Sequence, residues 1–399
     1  MNGSPPIYLD NHATTRCDPR VVEAMLPFFG ETYGNAASTT HAYGTLARRA
    51  VEDARERIAA CLAVPAQSVY FTSGATESNN LAIQGYLRRW NRPGHIIATA
   101  IEHSSVLEPI EVMRSLGYDV TLLSPEQHDS PLAGRITPEA FLAGVRPDTV
   151  FASVGLANNE IGVIQPLRQI AEICRAKGIV LHTDATQAVG KIPLDFGELG
   201  ADLISFSAHK LYGPKGIGAL VVAKRTPPLR LTPMIFGGGH EHGLRSGTLN
   251  VPGIVGFAAA VELCCRNLQA ESDRIALMRD RLFDLLKSGL NEEIALNGPS
   301  LERPGLRLPG NLNIRFHRLD GETLLLHRPQ LAMSSGSACS SATAKPSHVL
   351  LALGLSEPEA RASIRIGLGR FNTEQEIPIA AAAIINATHK LVQSNAILG

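Results

Sequence analysis

Apolar positions along the chain fall into two alternating rhythms. Short, nearly continuous apolar runs occur at 69–71, 96–98, 120–122, 150–154, 179–182, 203–206 and 219–222. Between most of them lie stretches with apolar residues three and four apart, at 75–90, 105–115, 138–143 and 167–177. A strand covered on both faces reads as a continuous apolar run, whereas an amphipathic helix repeats every 3.6 residues. The alternation therefore predicts an α/β fold, with a mainly parallel seven-stranded sheet and helices on both faces. Ahead of it, 7–12 predicts a short strand. Asp18-Pro19 predicts the cap and first turn of a helix running to about residue 29. Leu46, Ala50, Ala54 and Ile58 predict the apolar face of a long helix over 41–62. The rhythm changes after Gly253. One long helix is expected over 254–289, with a break near Asn267. Strands at 311–316, 332–333 and 363–367 follow, with short helices at 322–327, around Val349 and around Pro358. A closing helix is expected over 373–391. This second part reads as a smaller α+β domain. The expected division is 16–260 for the large domain, and 1–15 with 261–399 for the small one.

Composition narrows the function classes. A chain of 399 residues is too long for one simple core. Its 44% hydrophobic and 19% charged content fits a globular protein. The formal net charge is zero, so no charge bias points to nucleic acid or an anionic membrane as partner. No apolar run approaches the roughly 20 residues that span a bilayer. The opening Met-Asn-Gly-Ser-Pro-Pro lacks the charged and apolar regions of a signal peptide. The six cysteines (17, 61, 174, 264, 265 and 339) form no CxxC pair and no regular spacing. Neither a zinc site nor a disulfide framework is indicated, and a reducing cytoplasm is the expected compartment.

Candidate chemistry sits at the ends of the predicted strands. Lys210 follows the 203–206 run and precedes a Gly/Pro turn, where α/β folds place ligands; a lysine snorkelling to solvent is the competing reading. Thr72-Ser73-Gly74-Ala75-Thr76-Glu77 joins a strand to a helix. Its small residues leave backbone N–H groups open to an anion such as phosphate, although Ser73 or Thr76 could equally cap the helix. Asp184, at the end of the 179–182 run, could hold a heteroaromatic nitrogen protonated or simply cap the next turn. His103, just past 96–98, could stack on a planar cofactor and move protons, or stand as a polar residue ahead of a helix capped by Ser104. Cys339 lies in Ser334-Ser-Gly-Ser-Ala-Cys-Ser-Ser341, a run with nothing apolar to pack against. A thiol there reads as a nucleophile rather than a core residue. His240, Glu241 and His242 sit in a Gly-rich loop at a spacing that suits a metal poorly, and no metal is expected. Lysine, aspartate, histidine and a phosphate cradle at successive strand ends make a pyridoxal phosphate set.

Ten motifs then carry a resemblance. They are Tyr8-Leu-Asp-Asn-x-Ala-Thr-Thr15, Thr72-Ser-Gly-Ala-Thr-Glu77, Glu102-His103, Asn158-Asn-Glu-Ile-Gly162, Asp184-Ala-Thr-Gln187, Ser207-Ala-His-Lys-Leu-Tyr-Gly-Pro-Lys-Gly216, Gly237-Gly-Gly-His-Glu241, Arg245-Ser-Gly-Thr248, Ser334-Ser-Gly-Ser-Ala-Cys339 and Ser363-Ile-Arg-Ile-Gly-Leu-Gly-Arg370. In this order the chain resembles the cysteine desulfurases of the class V aminotransferase family, the NifS/IscS-like group, of fold type I among pyridoxal phosphate enzymes. The resemblance implies that Lys210 forms the Schiff base, Asp184 pairs with the pyridine nitrogen and Gln187 bonds the ring hydroxyl. His103 would stack on the ring and serve as acid and base. Ala75, Thr76, Ser207 and His209 would hold the phosphate, with Thr248 arriving from the second subunit of a homodimer. Asn35, Asn159 and Arg365 would bind the substrate. Cys339 would take sulfur from L-cysteine as a persulfide and pass it to an acceptor protein such as an iron–sulfur scaffold. A selenocysteine lyase-like enzyme is the alternative within the same chemistry. His12, Ala36 and His242 depart from common residues of the family.

Overall fold

The structure is a computed structural model that describes residues 6–89, 93–328, 330–335 and 345–398, with side chains to residue 394. The chain opens with β1 (Ile7–Tyr8), α1 (Pro19–Met25) and α2 (Ala42–Cys61). The large sheet and its helices follow: β2 (Val69–Thr72), α3 (Ala75–Leu87), β3 (His95–Thr99), α4 (Ser104–Ser115), β4 (Asp119–Leu123), β5 (Thr149–Ser153), α5 (Leu167–Lys177), β6 (Val180–Asp184), β7 (Leu203–Ser207) and β8 (Gly218–Val222). Then come α6 (Val251–Arg266), α7 (Leu268–Leu290), β9 (Ile294–Leu296), β10 (Asn311–Phe316), β11 (Leu331–Ala332), α8 (His348–Ala352), β12 (Ser363–Gly367) and α9 (Glu376–Leu398).

The seven-stranded sheet runs in the order β2-β8-β7-β6-β5-β3-β4. Only β8 runs against its neighbours; the other six strands are mutually parallel. Thr72, Thr99, Asp184 and Ser207 therefore end at one edge of the sheet, where Gly218 begins β8. That edge gathers strand carboxyl ends, the usual ligand position in such sheets. Gly218 is required there: a Cβ would lie 2.7 Å from the Gly74 Cα and 2.7 Å from the Phe206 carbonyl oxygen.

Packing explains the elements. Phe206 and Phe257 meet at 5.2 Å between ring centroids, and both are fully buried between the sheet and α6. Each such side chain contributes about 1.5–3 kcal/mol by leaving water. On α2 the buried face is Ala47, Val51, Ala54 and Ile58. Leu46, expected on that face, is 53% exposed, because the true stripe is one residue out of register at its start. The first helix ends at Met25 rather than near residue 29, since Pro27 supplies no N–H to continue it and starts a separate turn. The helix expected over 254–289 is two helices, which meet at Asn267 with a bend of 75°. α6 packs against the large sheet, whereas α7 packs with β10, β12 and α9. The change of packing partner thus falls at Asn267, beyond residue 260. The smaller sheet has the order β12-β10-β9, and β9 is a three-residue strand not expected from the sequence. The chain start joins this second cluster: β1 pairs with β11, and Leu9 is buried in it. No single described helix is long and apolar enough to cross a membrane.

Candidate active site

A cavity of about 870 Å³ opens at the strand edge. Its walls include Ala75, Thr76, His103, Asn159, Asp184, Gln187, Ser207, His209, Lys210 and Arg365, so ten of the expected site residues converge there. Asn35 and Thr248 are exposed and do not line it. Cys339 lies outside the described residues, but Lys345 and Ser347, just beyond that segment, line the cavity.

Lys210 occupies the short turn after β7. Its Nζ donates at 2.6 Å to the carbonyl oxygens of both His12 and Ala13. Asp184 ends the neighbouring strand β6, in register with Ser205 of β7. Its Oδ1 accepts the Thr186 N–H at 2.9 Å and its Oδ2 accepts the Asn79 amide at 2.8 Å. Asn79 is fully buried and also donates to Ser105 Oγ at 2.9 Å. Ser105 continues the chain of bonds to His103. His103 Nδ1 lies 2.8 Å from Ser105 Oγ and accepts the Ser105 N–H at 3.1 Å. Accepting at Nδ1 puts the neutral ring's proton on Nε2. Burial holds the His103 pKa below its ordinary value, partly offset by the Asp184 carboxylate. Asp184 also holds the next turn, as its competing reading has it, while His103 itself, rather than Ser104, caps α4.

Helix α3 begins behind Gly74, whose φ of 155° suits glycine and whose missing side chain leaves the helix start uncapped. The first N–H groups of α3 and the Thr76 hydroxyl therefore face the cavity as an anion site. The Ser207 and Thr186 hydroxyls are buried with no partner among the described residues. His209 meets Thr14 Oγ1 at 3.2 Å, and burial with the adjacent Lys210 charge pushes its pKa down to about 4. These groups fit a phosphorylated ring: open N–H groups and hydroxyls without partners among the described residues for the phosphate, a held carboxylate at the end of β6, and a lysine in the turn after β7.

The opposite wall comes from the second packing cluster. Arg365 is 3% exposed and donates through Nη2 to Asp10 Oδ1 at 2.8 Å. Ser334 Oγ donates to the same oxygen at 3.2 Å, and the Ser334 backbone bridges to Arg365. Glu102 is buried beside His103; its Oε1 accepts Thr99 Oγ1–H at 2.7 Å and the Gly155 N–H at 2.8 Å. Desolvation outweighs those bonds and pushes its pKa up to about 7. The Gly-rich loop is pinned from beneath. Glu241 turns inward to a bidentate pair with Arg55 at 2.8 and 2.9 Å and accepts the Phe71 N–H at 2.7 Å. His240 instead accepts the Gly247 N–H through Nδ1.

Sequence reasoning missed Asn79, Asp10 and Glu102 as supports of the site. Asn79 was within reach, since it lies three residues after Thr76 and so on the same helix face. Asp10 and Glu102 were inside recognised motifs, but the Arg365 and Ser334 partners of Asp10 and the Gly155 partner of Glu102 lie far away in the chain.

A family model described as aminotransferase class-V matches residues 7–379. The protein described as cysteine desulfurase IscS of Anaeromyxobacter dehalogenans is 48% identical over 390 residues, covering 97% of this chain and 93% of its own length. The mitochondrial cysteine desulfurase of Arthroderma benhamiae is 47% identical over 385 residues, covering 96% of this chain and 74% of its own. Among solved structures, a NifS-like protein superposes with a TM-score of 0.87 at 35% identity, covering 96% of this chain and 98% of that one. A structure described as SspA in complex with cysteine gives 0.79 at 34% identity, covering 92% and 100%.

Proposed function

The chain belongs to the class-V aminotransferase family, and from that premise and the cavity's geometry we infer that it is a cysteine desulfurase. The family implies dependence on pyridoxal phosphate. One observation carries the reading. Lys210 and Asp184 stand at the ends of adjacent strands, facing the uncapped start of α3 across one cavity.

When bound, the cofactor supplies an electron sink for the carbon that bears the substrate's amino group. Lys210 would anchor it and, once released, move the proton of that carbon. The two carbonyl oxygens now holding Nζ give the lysine a resting place. Asp184 would keep the ring nitrogen protonated, and Asn79 and the Thr186 N–H hold its carboxylate in place. Ala75, Thr76, Ser207 and His209 would hold the phosphate. Thr248 would add to them from the second copy of a homodimer, which accounts for its exposure in a single chain. His103 would lie against the ring and carry a proton at Nε2. Arg365 and Asn159 would orient the carboxylate of L-cysteine.

Cys339 would then take the substrate sulfur as a persulfide, leaving alanine. Its segment begins beyond Ser335 and ends before Lys345, and both flanks are tied to the site. Ser334 bonds Asp10, and Ser347 bonds Glu160. The persulfide would pass to an acceptor protein such as an iron–sulfur scaffold. The five described cysteines are free, which agrees with a cytoplasmic setting. Mass spectrometry of Cys339 after adding L-cysteine tests the reading. One added sulfur at Cys339 with an equivalent of alanine is expected; alanine without that sulfur overturns it. Faster release from selenocysteine without modified Cys339 would favour the lyase alternative.

A further inference from the structure

Gln187 lines the cavity, yet three groups behind it decide what its amide can offer. Lys191 Nζ donates to Gln187 Oε1 at 2.7 Å. Burial and the nearby Lys210 and Arg365 charges push the Lys191 pKa down to about 7, so below that pH it is an ammonium with donors only, which faces the amide oxygen and never the amide nitrogen. On the other side, Gln187 Nε2 donates to the His12 carbonyl oxygen at 3.0 Å, and a carbonyl only accepts. The two constraints are independent and select the same amide orientation. His12 Nδ1 lies 3.1 Å from the same Oε1 and so must be the protonated nitrogen of its neutral ring. His12 Nε2 is left buried with no partner among the described residues. Lys191 itself does not line the cavity.

We propose that Lys191 is a positioning residue that, together with His12, locks the Gln187 amide so that it presents only N–H to the cavity. Resting on the cofactor assignment above, this lock selects the ionised form of the cofactor's ring hydroxyl. An ionised oxygen accepts the free N–H of Gln187, whereas an un-ionised hydroxyl gains no acceptor from an amide oxygen turned away. Lys191 thus acts on the cofactor's electronic state through Gln187, without touching it. The charged groups around its Nζ are Lys210 and Arg365, with Cys264 close by. None of these offers a carboxylate that would turn Lys191 away from Gln187.

The test reads, below pH 7 where Lys191 is an ammonium, the absorbance of enzyme loaded with pyridoxal 5'-phosphate. The visible-edge band reports the ionised ring oxygen, and the near-ultraviolet band the un-ionised one. In Lys191→Met the ratio of the two bands should fall about tenfold, as for loss of one hydrogen bond to a charged acceptor. Lys191→Arg, again a pure donor, should restore it. His12→Phe removes the second donor while keeping the backbone carbonyl, and should lower the ratio in the same direction should Lys191→Met fail to fold. An unchanged ratio in folded, loaded Lys191→Met or His12→Phe overturns the proposal. A near-ultraviolet band alone in the unaltered protein would also overturn the proposal, whereas absence of both bands after loading would instead overturn the cofactor assignment.

Discussion

Replacing Glu102 by glutamine should raise stability at alkaline pH while leaving it nearly unchanged in acid. Glu102 is buried, and Oε1 already accepts two donors, so the proton of the neutral acid sits on Oε2. Glutamine reproduces that arrangement, with its oxygen at the Oε1 position and its NH2 in place of Oε2–H. The pKa stands at about 7 against an ordinary 4.5, chiefly because burial penalises the charge. The folded protein therefore holds this proton more tightly than the unfolded chain does. Its contribution to stability is complete below pH ~4.5 and is lost as pH rises toward ~7. A gap of about 2.5 pH units corresponds to about 3 kcal/mol. The side chain of Glu102→Gln stays neutral throughout and escapes that loss. Urea unfolding midpoints of both proteins, compared from pH 5 to pH 9, should diverge by about 2–3 kcal/mol in favour of the variant, most of it before pH 8. Parallel curves would refute the reasoning and show that Glu102 ionises in the fold at little cost.

Three further outcomes are expected. Asn79→Leu keeps the volume but removes the Nδ2–H held at 2.8 Å from Asp184, so cofactor affinity, read by equilibrium dialysis, should weaken about tenfold or more. Glu241→Gln leaves the buried Arg55 without its main counter-charge; the urea midpoint should shift by an amount equivalent to about 3 kcal/mol, and Glu52, half exposed beside Arg55, sets how far the loss is softened. Cys339→Ser should keep the absorbance of the loaded enzyme yet abolish cysteine-dependent sulfide release, measured with a thiol reductant as acceptor.

The sheet was legible because its strands are nearly continuous apolar runs, most of them separated by helix-period stretches, as six parallel strands covered by helices require. Strand direction was not legible for β8: its four apolar residues read the same in either direction, and only pairing with β2 and β7 sets the reversal. Leu46 misled because apolar character alone does not fix a helix face to within one residue. β9 was missed because three residues carry no period. At the site, Lys210, Asp184, His103 and Thr76 could be read from their positions beside strands. Glu102 could not, because its raised pKa arises from burial in the folded chain, against the pull of the Gly155 and Thr99 hydrogen bonds. Lys191 was invisible for a similar reason: the turn that brings its ammonium against Gln187 exists only once the segment after β6 folds back on itself.

The reversed strand also has a consequence for synthesis of the chain. β2 sits at the edge of the sheet and is joined to it only through β8, from Val69↔Val221 to Thr72↔Gly218. The turn at Gly74 and the start of α3 follow directly from β2; Asn79 ties α3 to β6 and α4, but the turn itself is held in the sheet only once residue 222 has been added. A nascent chain emerging from the ribosome can form its middle strands early, as N-terminal parts commonly do. It acquires a place for the phosphate only after more than half its length exists. Arrested chains ending at residue 216 should therefore show no cofactor-dependent protection from protease, and chains reaching past the end of α6 should begin to.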